Sequence, residues 1–180
     1  MAILPIFVLE ELKGGNQHVG LITAVFFAAS VIFRPLGGIW VDSIGRKKTL
    51  VFSLAFFAGL TFVYADIHSL LVFLILRFVH GMTFGTATVA AGTIAADLIP
   101  DGRKGEGVGY FTTFMNLAMV IGPFFALSLL DDVSFYVLFM IVFGLSLLSF
   151  LLGSLVQIPF SKTDRKGNKA RASLLHSVLE

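Results

Sequence analysis

GGIWVDSIGRKKTL, residues 37 to 50, separates two apolar runs that are each long enough to cross a bilayer. It puts a carboxylate, Asp42, at the end of the first run and three cations, Arg46, Lys47 and Lys48, ahead of the second. Gly38 carries no side chain, so a neighbouring helix can approach it closely. Gly45 permits a sharp reversal in which φ is positive. Asp42, near a membrane surface, can accept hydrogen bonds from a helix N-terminus or a guanidinium, and the cations would hold the turn on the cytoplasmic side.

The composition around this stretch is that of an integral membrane protein: 57% hydrophobic with 20 Phe, and only 13% charged, about half the charged share of a soluble domain. The useful count is therefore of spans, each needing about 20 apolar residues. The absence of cysteine excludes disulfides, thiolate metal sites and cysteine nucleophiles. The formal charge of +2 does not argue for nucleic acid, because the basic residues fall in loops where membrane topology already accounts for them.

Met1 to Leu12 is apolar and then acidic, too short to span, and lacks the positive start and small-residue cleavage site of a signal peptide. It reads as the outer half of a first helix. Further spans are expected from about Gly20 to Val41 (helix 2), Thr49 to Ala65 (helix 3), Leu70 to Ala96 (helix 4), Val108 to Leu130 (helix 5) and Ser134 to Val156 (helix 6). Outer turns fall at YADIHS and at Asp131 and Asp132, and DLIPDGRKGEG makes a second inner loop. The expected architecture is thus an all-α bundle over residues 1–160 with a basic tail over 161–180. Ten of the 13 Lys and Arg support this alternation: Arg46, Lys47, Lys48, Arg103, Lys104, Lys162, Arg165, Lys166, Lys169 and Arg171 all fall in segments assigned to the cytoplasm.

Gly38, Asp42, Gly45, Arg46 and Lys47 follow the order G-x-x-x-D-x-x-G-R-[RK], which resembles the loop between helices 2 and 3 of the major facilitator superfamily of secondary transporters. A second likeness lies in helix 4, where Arg77, His80 and Gly81 follow R-x-x-[QH]-G, similar to proton-coupled members. There the resemblance implies an arginine facing the central cavity and taking part in proton coupling. A third is partial: in helix 5, Gly122 and Pro123 fit the antiporter pattern g-x-x-x-G-P-x-x-G-G, while Ala118, Ala126 and Leu127 replace its glycines. The implied fold is an N-terminal half of that superfamily with a 3+3 inverted repeat, echoed by FRPLGG at 33–38 and IGPFFA at 121–126.

Other polar residues are weighed in the same frame. Arg77 lies about two turns inside helix 4, where an arginine needs a partner or a water-filled cavity; a structural ion pair or a snorkelling side chain is the alternative. His80, three residues on, shares its face and suits packing or hydrogen bonding better than carrying a proton. Arg34 precedes Pro35, whose ring frees a backbone carbonyl, and is read as structural. Asp97 and Arg103 are candidates to join Asp42 and Arg46 in a cytoplasmic charge cluster, which the resemblance makes an inner gate. An ion pair worth about 1 kcal/mol can be made and broken in a cycle. Thr112 and Asn116 put polar groups on one face of helix 5, to line a cavity or to bond between helices. His18, His68, His80 and His176 are scattered without metal spacing.

The reading is a secondary transporter, not an enzyme, for proton-coupled efflux of a small molecule, with no cofactor and no metal. Its partners are the lipid bilayer of the cell membrane, the small-molecule substrate with protons, and a missing C-terminal half or a second copy, since about five and a half spans cannot enclose a two-sided cavity. The alternatives are a truncated membrane protein without transport activity and an integral membrane enzyme, which would need convergent polar groups at one depth.

Overall fold

Lipid offers no partners to backbone N–H and C=O groups, so a spanning segment must satisfy them within itself, and these apolar runs form helices. A computed structural model describes residues 3–130 and 132–157. Asp131 and the tail over 161–180 lie outside the described residues, as does the expected boundary at residue 160. The elements are α1 (Ile3–Glu10), α2 (Asn16–Ser43), α3 (Arg46–Val63), α4 (Leu70–Leu98), α5 (Lys104–Ser128) and α6 (Phe135–Leu155), with short 3-10 turns at Tyr64–Asp66 and Asp101–Arg103. Five of them, α2 to α6, are long and apolar enough to cross a membrane.

Helices α2, α3 and α5 begin three or four residues earlier than hydropathy suggests. Polar or charged side chains lower the apolar score of an end turn but leave it helical. At α3 the cause is Gly45, whose φ of 103° and ψ of 147° lie in a region glycine alone enters freely. The chain reverses there in one residue, and Arg46 is already the first residue of α3.

Between apolar helices in lipid, burial of oil against oil gains little, so close approach decides which helices stay together. The closest seam joins α2 and α4. A Cβ on Gly81 would collide with the carbonyl oxygen of Phe26, and one on Gly85 with that of Ser30. Gly37 of α2 continues the seam, its Cα side lying against the backbone of Thr86. Helix α3 then packs on α4 and on α6.

Two clusters mark the ends. At one, Phe7 of α1 meets Phe73, Phe135 and Phe139 at ring-centroid distances of 5.0–5.6 Å, with Ile22, Tyr64 and Ile67 buried beside them. At the other, Val41, Leu50, Ala90 and Ile94 close the core under the α2–α3 turn. Helix α5 stands apart: none of its residues is buried among the described residues, and it meets α1 and α4 only briefly.

Candidate functional site

An arginine side chain inside an apolar bundle needs its charge delocalised against something polarisable and its donors met. Arg77 lies seven residues into α4, about 10 Å along the helix, and is 2% exposed. The Phe26 ring of α2 covers one face of the guanidinium at 4.3 Å. The hydroxyl of Tyr64, at the end of α3, lies near enough to interact with it electrostatically. The same hydroxyl lies 2.9 Å from His80 Nδ1, so Arg77, Tyr64 and His80 form one buried polar line within the half.

Aromatic rings wall this line. Phe57 lies 4.0 Å from the His80 ring, Phe26 5.9 Å from it, and Tyr64 itself rests on Phe73 and Phe139. Gly81 places Phe26 there, because its lack of a side chain brings the α2 backbone onto α4 at that turn. Beyond Phe57 and Phe84, an apolar groove of about 440 Å³ runs between α3, α4 and α6. The hydroxyls of Thr88 and Ser146 at its edge donate to carbonyls of their own helices.

At the opposite end Arg46 Nε lies 2.5 Å from Asp97 Oδ2, with side chains 11% and 28% exposed. The pair ties the start of α3 to the end of α4. The first turn of α3 is basic and contains no acid, an arrangement the helix dipole disfavours. The carboxylate that offsets it is Asp97, whereas Asp42 is exposed and joins no ion pair among the described residues. Arg103 does not reach this pair: from the turn before α5 it faces Glu106 of the first turn of α5 at 3.9 Å, and Lys104 pairs with Asp101 at 2.8 Å. Lys47 is exposed. Gly38 has open space beside it, and the close approach expected there falls one residue earlier, on Gly37.

The residues of α5 are not brought to this site. Thr112 Oγ1 donates to the carbonyl of Val108 in its own helix, Asn116 is exposed, and Gly122 has nothing within 4 Å. Pro123 is half-buried. Arg34 is exposed on α2. Among the described residues, no group of three or more His, Asp or Glu could hold a metal ion.

Sequence reasoning missed Tyr64, Phe26, Phe57 and Gly85. Two signals were present. Gly81 and Gly85 have the small-x-x-x-small spacing that lets helix backbones meet, and a tyrosine closing an apolar run needs a partner for its hydroxyl once buried. Phe26 and Phe57 carry no such mark among 20 phenylalanines.

The family model for the Major Facilitator Superfamily matches residues 1–179. An uncharacterized MFS-type transporter of Methanocaldococcus jannaschii is 29% identical over 179 residues, 97% of this chain and 46% of that protein. The class E tetracycline resistance protein of Escherichia coli is 34% identical over 128 residues, 68% of this chain and 31% of that protein. Multidrug resistance protein 1 of Bacillus subtilis is 26% identical over 116 residues, 64% of this chain and 30% of that protein. The chain spans less than half the length of each of these relatives.

Proposed function

This chain belongs to the major facilitator superfamily, corresponding to the N-terminal half of that fold, and on that premise we propose that it serves proton-coupled efflux of small amphipathic compounds. The observation that carries the reading is the burial of Arg77 among Phe26, Tyr64 and His80, in a chain whose relatives include tetracycline and multidrug resistance proteins. A guanidinium keeps its own proton. Its part is to hold a positive potential inside the bundle, against which a proton or a cationic compound must be neutralised by groups of the facing half.

The second element of the reading is the inner gate. The Arg46–Asp97 pair, hinged on Gly45, latches the turn between α2 and α3 to the end of α4, with Lys47, Asp42 and Arg103 as surrounding charges. Gly38 and Asp42 lie exposed or beside open space, available to a second six-helix unit. In this scheme the Gly45 end faces the cytoplasm of a cell-membrane protein. The bundle over 1–160 works with a second half, supplied by a longer product or another copy. Thr112 and Asn116 of α5 then line the cavity between halves, and Gly122 and Pro123 pack on the facing unit.

The test is proton-driven efflux in everted membrane vesicles, with this chain assembled with a second six-helix half. Tetracycline and a fluorescent cationic dye serve as probes. The reading expects efflux that collapses with the proton gradient and is abolished by Arg77→Ala. Efflux indifferent to both would contradict it, and silence from every assembly would favour a chain without transport activity.

A further inference from the structure

We propose that the open face of α2 docks a transmembrane helix carrying a carboxylate opposite Arg34, and that this helix belongs to a unit of different sequence and not to a second copy of this chain. The proposal rests on the reading above that the bundle works with a facing half. Val31, Arg34, Gly38 and Asp42 recur at helical spacing along one side of α2. Phe26, Ser30 and Gly37, which meet α4, lie on the other. Val31, Arg34 and Asp42 are exposed, and a Cβ on Gly38 would meet nothing within 4 Å.

Lipid cannot answer the polar groups of this face. Arg34 lies about 13 Å along α2 from its end at Ser43, inside a hydrocarbon core about 30 Å thick. Helical side chains lean toward the N-terminus of their own helix, so the guanidinium sets out toward the membrane middle and away from the Gly45 end. That direction opposes snorkelling to the nearer surface. Among the described residues Arg34 makes no ion pair and no side-chain hydrogen bond. Beside it, Pro35 has no N–H to give the carbonyl of Val31, which leaves an acceptor on the same face short of its helical donor.

A cation at that depth needs an anion at the same depth, and this chain has none to lend. Of its 11 Asp and Glu, those among the described residues all stand at helix ends or in turns. Asp131, Asp164 and Glu180 fall in polar stretches of the sequence. A second copy in the same orientation brings Asp42 to about 12 Å from the depth of Arg34, and it sets one Arg34 level with the other. An inverted copy carries the same acids to the opposite surface, still at helix ends. The carboxylate must therefore come from a unit of another sequence.

The test needs no transport. The chain is labelled with a fluorescent donor through Glu11→Cys, in the turn after α1, and placed in phosphatidylcholine bilayers. The probes are two acceptor-labelled polyleucine transmembrane peptides of about 20 residues, identical except for one Glu or Gln level with Arg34. The Glu peptide is expected to bind about tenfold more tightly than the Gln peptide. Arg34→Leu removes the difference and Arg34→Lys keeps part of it. Equal binding of the two peptides, or a preference that survives Arg34→Leu, overturns the proposal. A preference lost on adding phosphatidylglycerol gives Arg34 to a lipid headgroup and overturns it as well.

A second measurement addresses the copies. A spin label at Val31→Cys, with the chain alone in the bilayer, is expected to show no short distance between labels. A short, defined distance means that a second copy covers the face, and the proposal falls. These readouts stand apart from the coupling reading: efflux indifferent to the proton gradient in the assembled transporter removes that reading and leaves the peptides to decide the face of α2.

Discussion

Helices α2 and α5 are similar in length, 28 and 25 residues, and each carries an internal proline beside glycine. Yet α2 buries Ile22, Phe26, Ala29 and Ser30 against α4, while α5 buries nothing among the described residues. Their apolar content does not separate them, since lipid satisfies an apolar side chain as well as a neighbouring helix does. The difference lies in the partner. Helix α4 presents Gly81 and Gly85 to α2, so backbone meets backbone, and among the described residues no glycine brings another helix's backbone onto α5. The expected inverted repeat would make α5 and α1 the counterpart of α2 and α4, and here α1 spans only Ile3–Glu10.

The comparison breaks most readily at the glycines. Gly85→Val puts side-chain atoms into the Ser30 carbonyl, and the seam should lose about 3 kcal/mol, the upper end for overpacking. Gly122→Val on α5 should cost less than about 0.5 kcal/mol, as at an unpacked surface site. Thermal unfolding followed through the single tryptophan, Trp40, reads both. Equal losses would mean that α5 is as tightly seated as α2.

A smaller effect is expected at the turn that aligns the seam. Gly45→Ala forces a β-carbon into φ 103° and should cost about 2 kcal/mol, with no loss from Gly38→Ala in the same chain. Smaller than either disruptive glycine change is the latch. A double-mutant cycle on Arg46→Ala and Asp97→Ala should return about 1 kcal/mol, weakening with salt. A coupling several times larger would make the pair a permanent strut and not a gate.

Much of this was legible in residues whose chemistry acts locally. The apolar runs fixed the spans, Gly45 announced its own dihedral angle, and of the charges expected to cluster, Arg46 and Asp97 pair with each other. What stayed hidden depends on register between helices. Gly37 and not Gly38 meets α4 because of a rotation of α2 that no hydropathy window reports. Asp97 displaces Asp42 at the start of α3 because α4 runs on to Leu98 beside it. Arg103 finds Glu106 one turn away before it can reach Asp97. Tyr64 looked like part of a polar turn and proved to be the centre of the buried line.

The most direct measurement uses the absence of cysteine from the chain. Single cysteines at Asn116→Cys on α5 and Ser30→Cys in the α2–α4 seam are challenged with a membrane-impermeant thiol reagent, with the chain alone in lipid and then assembled with a second six-helix half. The account predicts that the Asn116 site, facing lipid, stays unlabelled in the chain alone and reacts in the assembly, where it lines the cavity between halves, while the Ser30 site stays inert in both. A Ser30 site that reacts freely, or an Asn116 site that assembly leaves unchanged, would contradict the division between a closed seam and a helix kept for the facing half.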